Sequence, residues 1–310
     1  MAYLRGFGAY LPARVVANEE IGRMAGSDAE WIRGVSGIEE RRFAAGNETV
    51  ADMAVRAAED CLARCGAAAS EVGLVLTASG SSERRFPGPA AAVAHRLGLE
   101  CVAAIDLPVA SAGSVFALAL ARHLAESYGT VLVTAAEKMS TIVLTEPMER
   151  GVAVLFGDGA GACLVSREAG VARIVDAEIA SDGAWAEDLH LEFGRPLAMN
   201  GRSVILQASR KIPRAIQAVL DRNGRAAGDV DVFLMHQANQ NLIDRVAQGL
   251  GVEAGRFYSN IRRYGNTSSA SMLIAAAEWS AGTGFRARVP VVFAGFGAGF
   301  HWGAVLAEGC

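Results

Sequence analysis

The sequence lacks the features that mark membrane, nucleic-acid-binding and disulfide-stabilised proteins. No uninterrupted apolar run is long enough to span a bilayer, and the first residues do not form a signal peptide's apolar stretch. The formal net charge of -4 excludes a general basic field for nucleic acid. The five cysteines are scattered, with no Cys-x-x-Cys pair and no cysteine–histidine cluster, which favours reduced thiols. We therefore expect a cytoplasmic protein without a metal or redox cofactor.

Apolar residues make up 52% of the 310 positions, enough for a large core and about two domains. The chain starts in a strand, and short β-rich runs then alternate with alanine-rich stretches, which predicts an α/β protein with buried sheets. Further strands are predicted at Val72–Ser79, Cys101–Leu107, Thr130–Glu137, Val152–Phe156, Ala162–Val165, Val230–Met235 and Val289–Ala294. Helices are predicted at Ala51–Cys65, Ala90–Leu97, Ala112–Glu126, Ser203–Arg222, Gln237–Leu250 and Ser268–Ala281.

No low-complexity linker divides the chain. Residues 166–183 are predicted to contain a strand that joins two tightly packed halves. The predicted helix Ala112–Glu126 is apolar on nearly every side, and such a helix is normally buried. This pattern indicates layers in which a helix lies between two sheets.

Ser111 stands where a predicted strand gives way to a predicted helix. The β-rich run ends near Leu107, and the helix begins at or just after Ser111. A side chain at this corner meets the positive end of the helix dipole and free backbone N–H groups, which suits a nucleophile. Serine is also a preferred N-cap residue, so the segment alone leaves both interpretations open.

His236 and Asn266 stand in two further segments of the same kind. His236 ends a buried strand just before a helix, and alone it could be a satisfied core or cap residue. Asn266 follows a glycine at the start of a helix rich in small residues, where asparagine is commonly a turn residue or cap. Neither residue identifies a site by itself.

Taken together with the glycine-rich stretch Gly295–Gly303, these segments resemble ketoacyl-ACP synthase III, the bacterial enzyme that starts fatty-acid chains. The resemblance runs along nearly the whole chain. Its other motifs are Asp28–Ile32, Gly37–Arg42, Asn47–Met53 and Phe156–Gly161. It implies a homodimer with the five-layered αβαβα thiolase fold, made of two similar halves that we place at residues 1–166 and 167–310.

The resemblance also implies the roles of the site residues. A short acyl group from acyl-CoA, or from an acyl carrier protein, would become attached at Ser111. His236 and Asn266 would hydrogen-bond the carbonyl of a malonyl thioester and stabilise the enolate formed by loss of carbon dioxide. The backbone N–H groups of Ser111 and Ala298 would bind the acyl oxyanion. Such condensation starts a fatty acid or a polyketide, and coenzyme A thioesters serve as substrates.

The family normally has cysteine where this chain has Ser111. A thiol near a helix N-terminus can be held as thiolate, whereas a serine hydroxyl needs a base such as a neutral His236 within hydrogen-bond reach. An acyl-serine ester is also less electrophilic than a thioester, which disfavours attack by a carbon nucleophile. The sequence does not distinguish a natural serine from an engineered one.

Substrate delivery shows further departures from the family pattern. Trp31 and Arg150 match the pair expected to sandwich the adenine of CoA, whereas two expected arginines are Val35 and Asn241 here, which predicts a weaker grip on phosphate. Ala298 replaces an expected glycine, which requires a negative φ.

Two further positions bear on the acyl group and its carrier. Phe86 matches the residue that limits the acyl tunnel across the dimer interface, and its size predicts a short primer. The basic helix around Arg202–Arg214 is either a docking face for acidic acyl carrier protein or a solvated helix face.

Three functions therefore remain open. The first is decarboxylative condensation, favoured by His236 and Asn266. The second is transfer of the acyl group from Ser111 to an alcohol, an amine or water, favoured by the serine and the missing arginines. The third is a catalytically silent subunit that binds an active homologue or a carrier protein.

Overall fold

A computed structural model describes residues 1–192 and 194–310. The strands are β1 (Ala2–Tyr10), β2 (Arg14–Ala17), β3 (Glu40–Phe43), β4 (Leu74–Ala78), β5 (Ala103–Leu107), β6 (Thr130–Lys138), β7 (Asp158–Ser166), β8 (Ala172–Ser181), β9 (Leu189–His190), β10 (Ala198–Met199), β11 (Val232–Met235), β12 (Pro290–Gly297) and β13 (His301–Gly309).

The helices vary from one turn to six turns in length. They are α1 (Asn18–Ala25), α2 (Ala29–Ser36), α3 (Val50–Cys65), α4 (Pro89–Arg96), α5 (Gly113–Tyr128), α6 (Ser140–Val143), α7 (Arg150–Ala153), α8 (Gly201–Arg222), α9 (Gln240–Leu250), α10 (Ile261–Tyr264) and α11 (Ser271–Gly282). Among the described residues, no helix is both long and apolar enough to cross a membrane.

Nine strands form one continuous sheet in the order β11-β12-β13-β8-β1-β7-β6-β4-β5. The sheet has two sections, one from β5 to β1 and the other from β8 to β11. Only a short antiparallel pairing, Ala2–Leu4 of β1 with Ala172–Ile174 of β8, joins them. By contrast, β6 pairs with β7 along nine residues. The weak join allows the two sections to turn against each other and enclose a layer of helices.

Helices α5 and α11 form that enclosed layer. α5 packs on β4 and β6 of the first section and on β12 and β13 of the second, while α11 packs on β1, β7 and β11. α3 and α4 cover the outer face of the first section, and α8, with α9 packed beside it, covers that of the second. The layers therefore follow the predicted αβαβα order, and the buried position of the helix that follows Ser111 is confirmed.

Most predicted elements are confirmed within two or three residues at either end, but the strand predicted at Val152–Phe156 is wrong. Its first two residues end the short helix α7, and the chain then turns before β7. Val152, Val154 and Phe156 are buried, so the run is apolar because it packs into the core. A five-residue apolar run cannot by itself distinguish a buried strand from a buried helical turn. The division at residues 166 and 167 stays a prediction.

Arg41 of β3 is fully buried, and no carboxylate among the described residues forms an ion pair with it. Its Nη1 atom donates to the Asn18 side chain at 2.8 Å, and Nη2 donates to the Val154 carbonyl at 2.7 Å. Burial lowers the pKa of Arg41 to about 10, which still leaves it charged at neutral pH. Arg41 thus ties the segment around Val154 to β3. That segment in turn holds Asn266, because the Asn266 N–H donates to the Leu155 carbonyl at 2.9 Å.

We expect Arg41→Ala to lower the free energy of unfolding by about 2–4 kcal/mol, because it leaves a cavity and buried carbonyl groups without donors. Urea denaturation measures this loss. Arg14→Ala is the matched control, since Arg14 is 60% exposed in its ion pair with Glu20 and should cost less than about 0.5 kcal/mol. Equal effects of the two substitutions would contradict the structural role of Arg41.

Candidate active site

Ser111 lies at a tight corner between β5 and α5. Its φ of 63° is in the left-handed region, which is uncommon for residues other than glycine. The corner packs against Gly297, where an added Cβ would lie 2.0 Å from the Ala110 carbonyl oxygen. Ala112 occupies the N-cap of α5, so the Ser111 hydroxyl is not the helix cap. The corner instead presents this hydroxyl to a cavity beside the positive end of the helix.

Ser268 is the direct partner of Ser111, and sequence reasoning missed it. The Ser111 backbone N–H donates to Ser268 Oγ at 3.0 Å, and the two Oγ atoms lie 3.3 Å apart. Ser268 also has a positive φ, of 46°, and its N–H donates to Asn266 Oδ1 at 2.8 Å. The only signal for it was the run of serines after Asn266, which also fits a helix start.

His236 follows β11 and is almost completely buried. Its N–H donates to the Ala294 carbonyl of β12 at 2.9 Å, so the sheet fixes its backbone. Its Nδ1 atom lies 2.6 Å from Ser271 Oγ. Burial lowers the pKa of His236 to about 4, partly offset by a hydrogen bond with the Ser268 backbone. The ring is therefore neutral at physiological pH, as a general base requires.

Asn266 is held by its backbone between two residues of the segment after α7. Its N–H donates to the Leu155 carbonyl, and its own carbonyl accepts the Gly157 N–H at 3.0 Å. The backbone is therefore fixed on both sides, and the side chain lies in the wall of the cavity. Its oxygen is bound by the Ser268 N–H, so the side chain is oriented as well.

Glu137, at the end of β6, is a second residue that sequence reasoning missed. It is fully buried and accepts hydrogen bonds from Ser81 Oγ and, at 2.6 Å, from Ser269 Oγ. The Gly80 N–H donates to it at 3.1 Å. One carboxylate thus joins the loop after β4 to the loop that carries Ser268, and these loops form two walls of the site.

The structure brings the predicted site residues to one cavity of about 890 Å³. Ser111, His236, Asn266 and Ala298 lie in its walls together with Trp31 and Phe86, while Arg150 lies beside it. Much of the remaining wall is apolar and includes Met139, Ile142, Leu155, Phe156, Leu189, Leu197, Met199, Val204, Ile205, Ile212, Met235, Leu242 and Phe296. The space is suited to an aliphatic acyl group.

Ala298 directly follows β12 and faces the Ser111 corner. The non-glycine residues of positive φ in the described chain are Cys101, Ser111, Ser268 and Arg288. Ala298 therefore has the negative φ that an alanine in place of glycine requires. The Ser111 N–H, the other predicted oxyanion donor, is bound to Ser268 Oγ. An acyl oxygen at this position would have to replace the Ser268 hydroxyl.

Trp31 and Arg150 contact each other directly. The Arg150 guanidinium carbon lies 4.3 Å from the centre of the Trp31 ring, a cation–π contact too close for a base to lie between them. Val35 lies nearby, and its carbonyl accepts the side-chain amides of Asn239 at 2.8 Å and Asn241 at 3.1 Å. The two positions where the family resemblance leads us to expect arginine are thus joined by a neutral hydrogen bond.

The residues predicted to bind the primer and the carrier protein lie on the surface. Phe86 is 85% exposed although it also lines the cavity. On α8, Arg210 and Arg214 are exposed, whereas Lys211 is bound to Asp182 at 2.9 Å and lies over the Trp302 ring. Lys211 therefore contributes less to the basic face than its sequence position indicated.

Comparison with known proteins places this site in a family. Residues 105–183 match the family model 3-oxoacyl-[acyl-carrier-protein] synthase III, and residues 220–308 match that of its C-terminal domain. The beta-ketoacyl-[acyl-carrier-protein] synthase III of Gloeobacter violaceus is 38% identical over 98% of this chain and 97% of its own length. The enzyme of the same name from Oceanobacillus iheyensis is 35% identical over 97% and 96%.

Solved structures agree with these matches. The 3-oxoacyl-[acyl-carrier-protein] synthase III of Aquifex aeolicus superposes with a TM-score of 0.95 at 32% identity, covering 99% of this chain and 100% of that one. The priming beta-ketosynthase of the R1128 polyketide pathway gives 0.91 at 31% identity, covering 100% and 96%. With a shared fold and shared sequence along almost its entire length, the chain belongs to the 3-oxoacyl-[acyl-carrier-protein] synthase III family of thiolase-fold acyltransferases.

Proposed function

We propose that this protein is an initiating condensing enzyme that uses Ser111 in place of a cysteine. It takes a short acyl group from acyl-CoA or an acyl carrier protein and condenses it with a malonyl thioester, in fatty-acid or polyketide synthesis. The observation that carries the proposal is the convergence of Ser111, His236 and Asn266 on one cavity. The names of its relatives, which include a priming polyketide ketosynthase, support the same reaction.

In the loading step, Ser111 Oγ attacks the thioester carbonyl and the bond from carbon to sulfur breaks. Neutral His236 accepts the hydroxyl proton and returns it to the departing thiolate. The N–H groups of Ser111 and Ala298 stabilise the oxyanion once the Ser268 hydroxyl has moved aside. The product is an acyl ester on Ser111 and a free thiol.

In the condensation step, a malonyl thioester enters and its carbonyl oxygen lies between His236 and the Asn266 side-chain amide. These donors stabilise the enolate that forms as carbon dioxide leaves. The enolate carbon then attacks the acyl-serine, the bond from carbon to the Ser111 oxygen breaks, and this oxygen takes up a proton from solvent by way of His236. Because an ester is less electrophilic than a thioester, this step limits turnover.

The serine also favours a second function, transfer of the acyl group to an alcohol, an amine or water. The neutral contact between Val35 and Asn241 favours it too, because both positions lack the cation that would grip a phosphate on the carrier arm. Under this alternative the loading step is unchanged and only the acceptor differs.

We further propose a homodimer built on the edge strand β5. This strand ends the nine-stranded sheet, and Ile105 on it is 42% exposed. An unpaired edge offers a row of N–H and C=O groups to another strand, and a second copy would extend the sheet across a two-fold axis. Phe86 lies in the loop beside this edge, so its 85% exposed ring would be covered in the dimer.

The experiment that tests the function is intact-mass analysis after incubation with short acyl-CoAs. We expect a mass increase of one acyl group in the wild type and no increase in Ser111→Ala. Ser111→Cys should load as well and should condense with malonyl-ACP at least about tenfold faster, because a thioester is the better acyl donor. No increase with any CoA or carrier donor, in a folded protein, would refute the enzyme and favour a silent subunit. Loading without condensation, but with transfer to alcohols or amines, would favour the second function.

The low pKa of His236 predicts how loading depends on pH. A base with a pKa of about 4 is already neutral at pH 5.5, so the burst of CoA release should be nearly the same at pH 5.5 and 7.5. A histidine with the ordinary pKa of about 6.5 would instead lose about tenfold over this range. Rapid-quench measurement of the burst distinguishes the two, and a tenfold fall would contradict a buried neutral His236.

The dimer proposal predicts that Ile105→Glu weakens self-association. A charge on the central residue of β5 would face its own copy across the two-fold axis, so the mass measured by light scattering should shift from dimer toward monomer on dilution. Val15→Glu, which alters a 43% exposed residue of β2, is the matched control and should leave the mass unchanged. A wild-type monomer at micromolar concentration would overturn this proposal.

A further inference from the structure

Ser271, the first residue of α11, lies directly behind His236. Its Oγ atom is 2.6 Å from His236 Nδ1, accepts the Gln237 backbone N–H at 3.0 Å and lies 3.0 Å from the Ser268 carbonyl oxygen. Ser271 is 2% exposed and His236 4% exposed. Within the described part of the chain, the hydroxyl therefore has these three hydrogen-bonding neighbours.

The single hydrogen of this hydroxyl can be assigned by elimination. One oxygen lone pair accepts the Gln237 N–H, so one lone pair and one hydrogen remain for the other two neighbours. The Ser268 carbonyl is an acceptor only, so the hydroxyl can hydrogen-bond it only by donating its hydrogen. His236 Nδ1 must then be the donor to the remaining lone pair. This is the only arrangement in which all three neighbours of the hydroxyl are satisfied at once.

We propose that Ser271 is a positioning residue that holds neutral His236 as the Nδ1–H tautomer and leaves Nε2 as the proton acceptor. The inference deepens the proposed function and rests on it. A thiolate nucleophile needs no base at the moment of attack, whereas the Ser111 hydroxyl must lose its proton then. The Nδ1–H tautomer is the form of neutral histidine with a free lone pair on Nε2, the ring nitrogen not held by Ser271.

The proton balance of loading follows from this tautomer. As Ser111 Oγ forms its bond to the acyl carbon, its proton passes to His236 Nε2, and the ring becomes an imidazolium. The hydrogen bond from Nδ1–H to Ser271 strengthens as this charge develops. The proton then moves from Nε2 to the sulfur of the departing CoA, and the ring returns to its neutral Nδ1–H form.

Condensation requires a hydrogen-bond donor at Nε2 for the enolate oxygen. Nε2 takes one proton from solvent as the negatively charged malonyl group enters, and Nδ1–H stays bonded to Ser271, so the ring is an imidazolium during this step. When the enolate carbon attacks the acyl-serine and the bond from carbon to the Ser111 oxygen breaks, the Nε2 proton passes to that oxygen. The ring thereby returns to the neutral Nδ1–H form that begins the next loading step.

The test combines a spectroscopic and a kinetic measurement on the full-length protein. Nitrogen-15 NMR of histidine-labelled enzyme, with the His236 signal identified by its loss in His236→Gln, reports which ring nitrogen carries the proton. We expect Nδ1–H in the wild type and in Ser271→Thr, which keeps the hydroxyl. In Ser271→Ala we expect a shift toward Nε2–H and a loading rate lower by about tenfold or more, because a misplaced base loses part of the roughly 100- to 10,000-fold that general-base catalysis contributes.

A matched control and a second nucleophile separate positioning from a general loss of structure. Ser280→Ala removes another hydroxyl from α11, one that donates to the Ala277 carbonyl of the same helix, and should change neither tautomer nor loading. In the Ser111→Cys background the loading defect of Ser271→Ala should largely disappear, because a thiolate needs no base. An equal defect with cysteine would show a structural role and overturn the proposal.

The remaining outcomes distinguish this inference from the function on which it rests. An Nε2–H tautomer in the wild type, or unchanged loading in Ser271→Ala, overturns the inference while a loaded Ser111 still supports the enzyme. Failure of the wild type to load with any donor refutes the function instead, and the NMR result then reports the tautomer alone.

Discussion

Helix α5 lies between the two sections of the sheet, and the position of every site residue depends on that burial. The helix can enter the middle layer only through the corner after β5, where Ser111 adopts a positive φ against Gly297. α11 enters the same layer through the loop that carries Ser268 and Ser271. Both helices therefore begin at the cavity. The burial that stabilises the core thus also brings together the polar residues at the starts of α5 and α11.

The polar groups of the cavity satisfy one another through a small number of hydroxyls. Ser268 contacts Ser111, Ser269 contacts Glu137, and Ser271 contacts His236. A buried polar group without a hydrogen-bond partner costs free energy, so the hydrogen bond of each serine fixes the orientation of its hydroxyl. The serine-rich loop is thus the inner wall that orients Ser111 and His236, while much of the remaining cavity wall is apolar.

The layered fold could be predicted from the sequence because its signals are local, whereas the meeting of Ser111, His236 and Asn266 at one cavity could be predicted only from the family resemblance. Alternating β-rich and alanine-rich runs predict the layers, and motif order indicates Ser111, His236 and Asn266. Glu137 could not be predicted, since it lies at the end of an apolar strand. Its role depends on a hydrogen bond from Ser269, which lies 132 positions later in the sequence. The strand predicted at Val152–Phe156 was wrong because these residues are apolar to suit burial in the core, and a buried segment need not be extended.

The contact between Trp31 and Arg150 has a thermodynamic consequence for the choice of donor. An adenine ring can enter between the two side chains only by separating them. Its binding free energy is therefore the gain from two new stacking contacts minus the cost of the one cation–π contact that is broken. A thioester on a carrier protein has no adenine and leaves the pair intact. If the pair binds adenine as the family resemblance implies, the contact would lower the affinity for CoA-borne acyl groups and leave the affinity for carrier-borne groups unchanged.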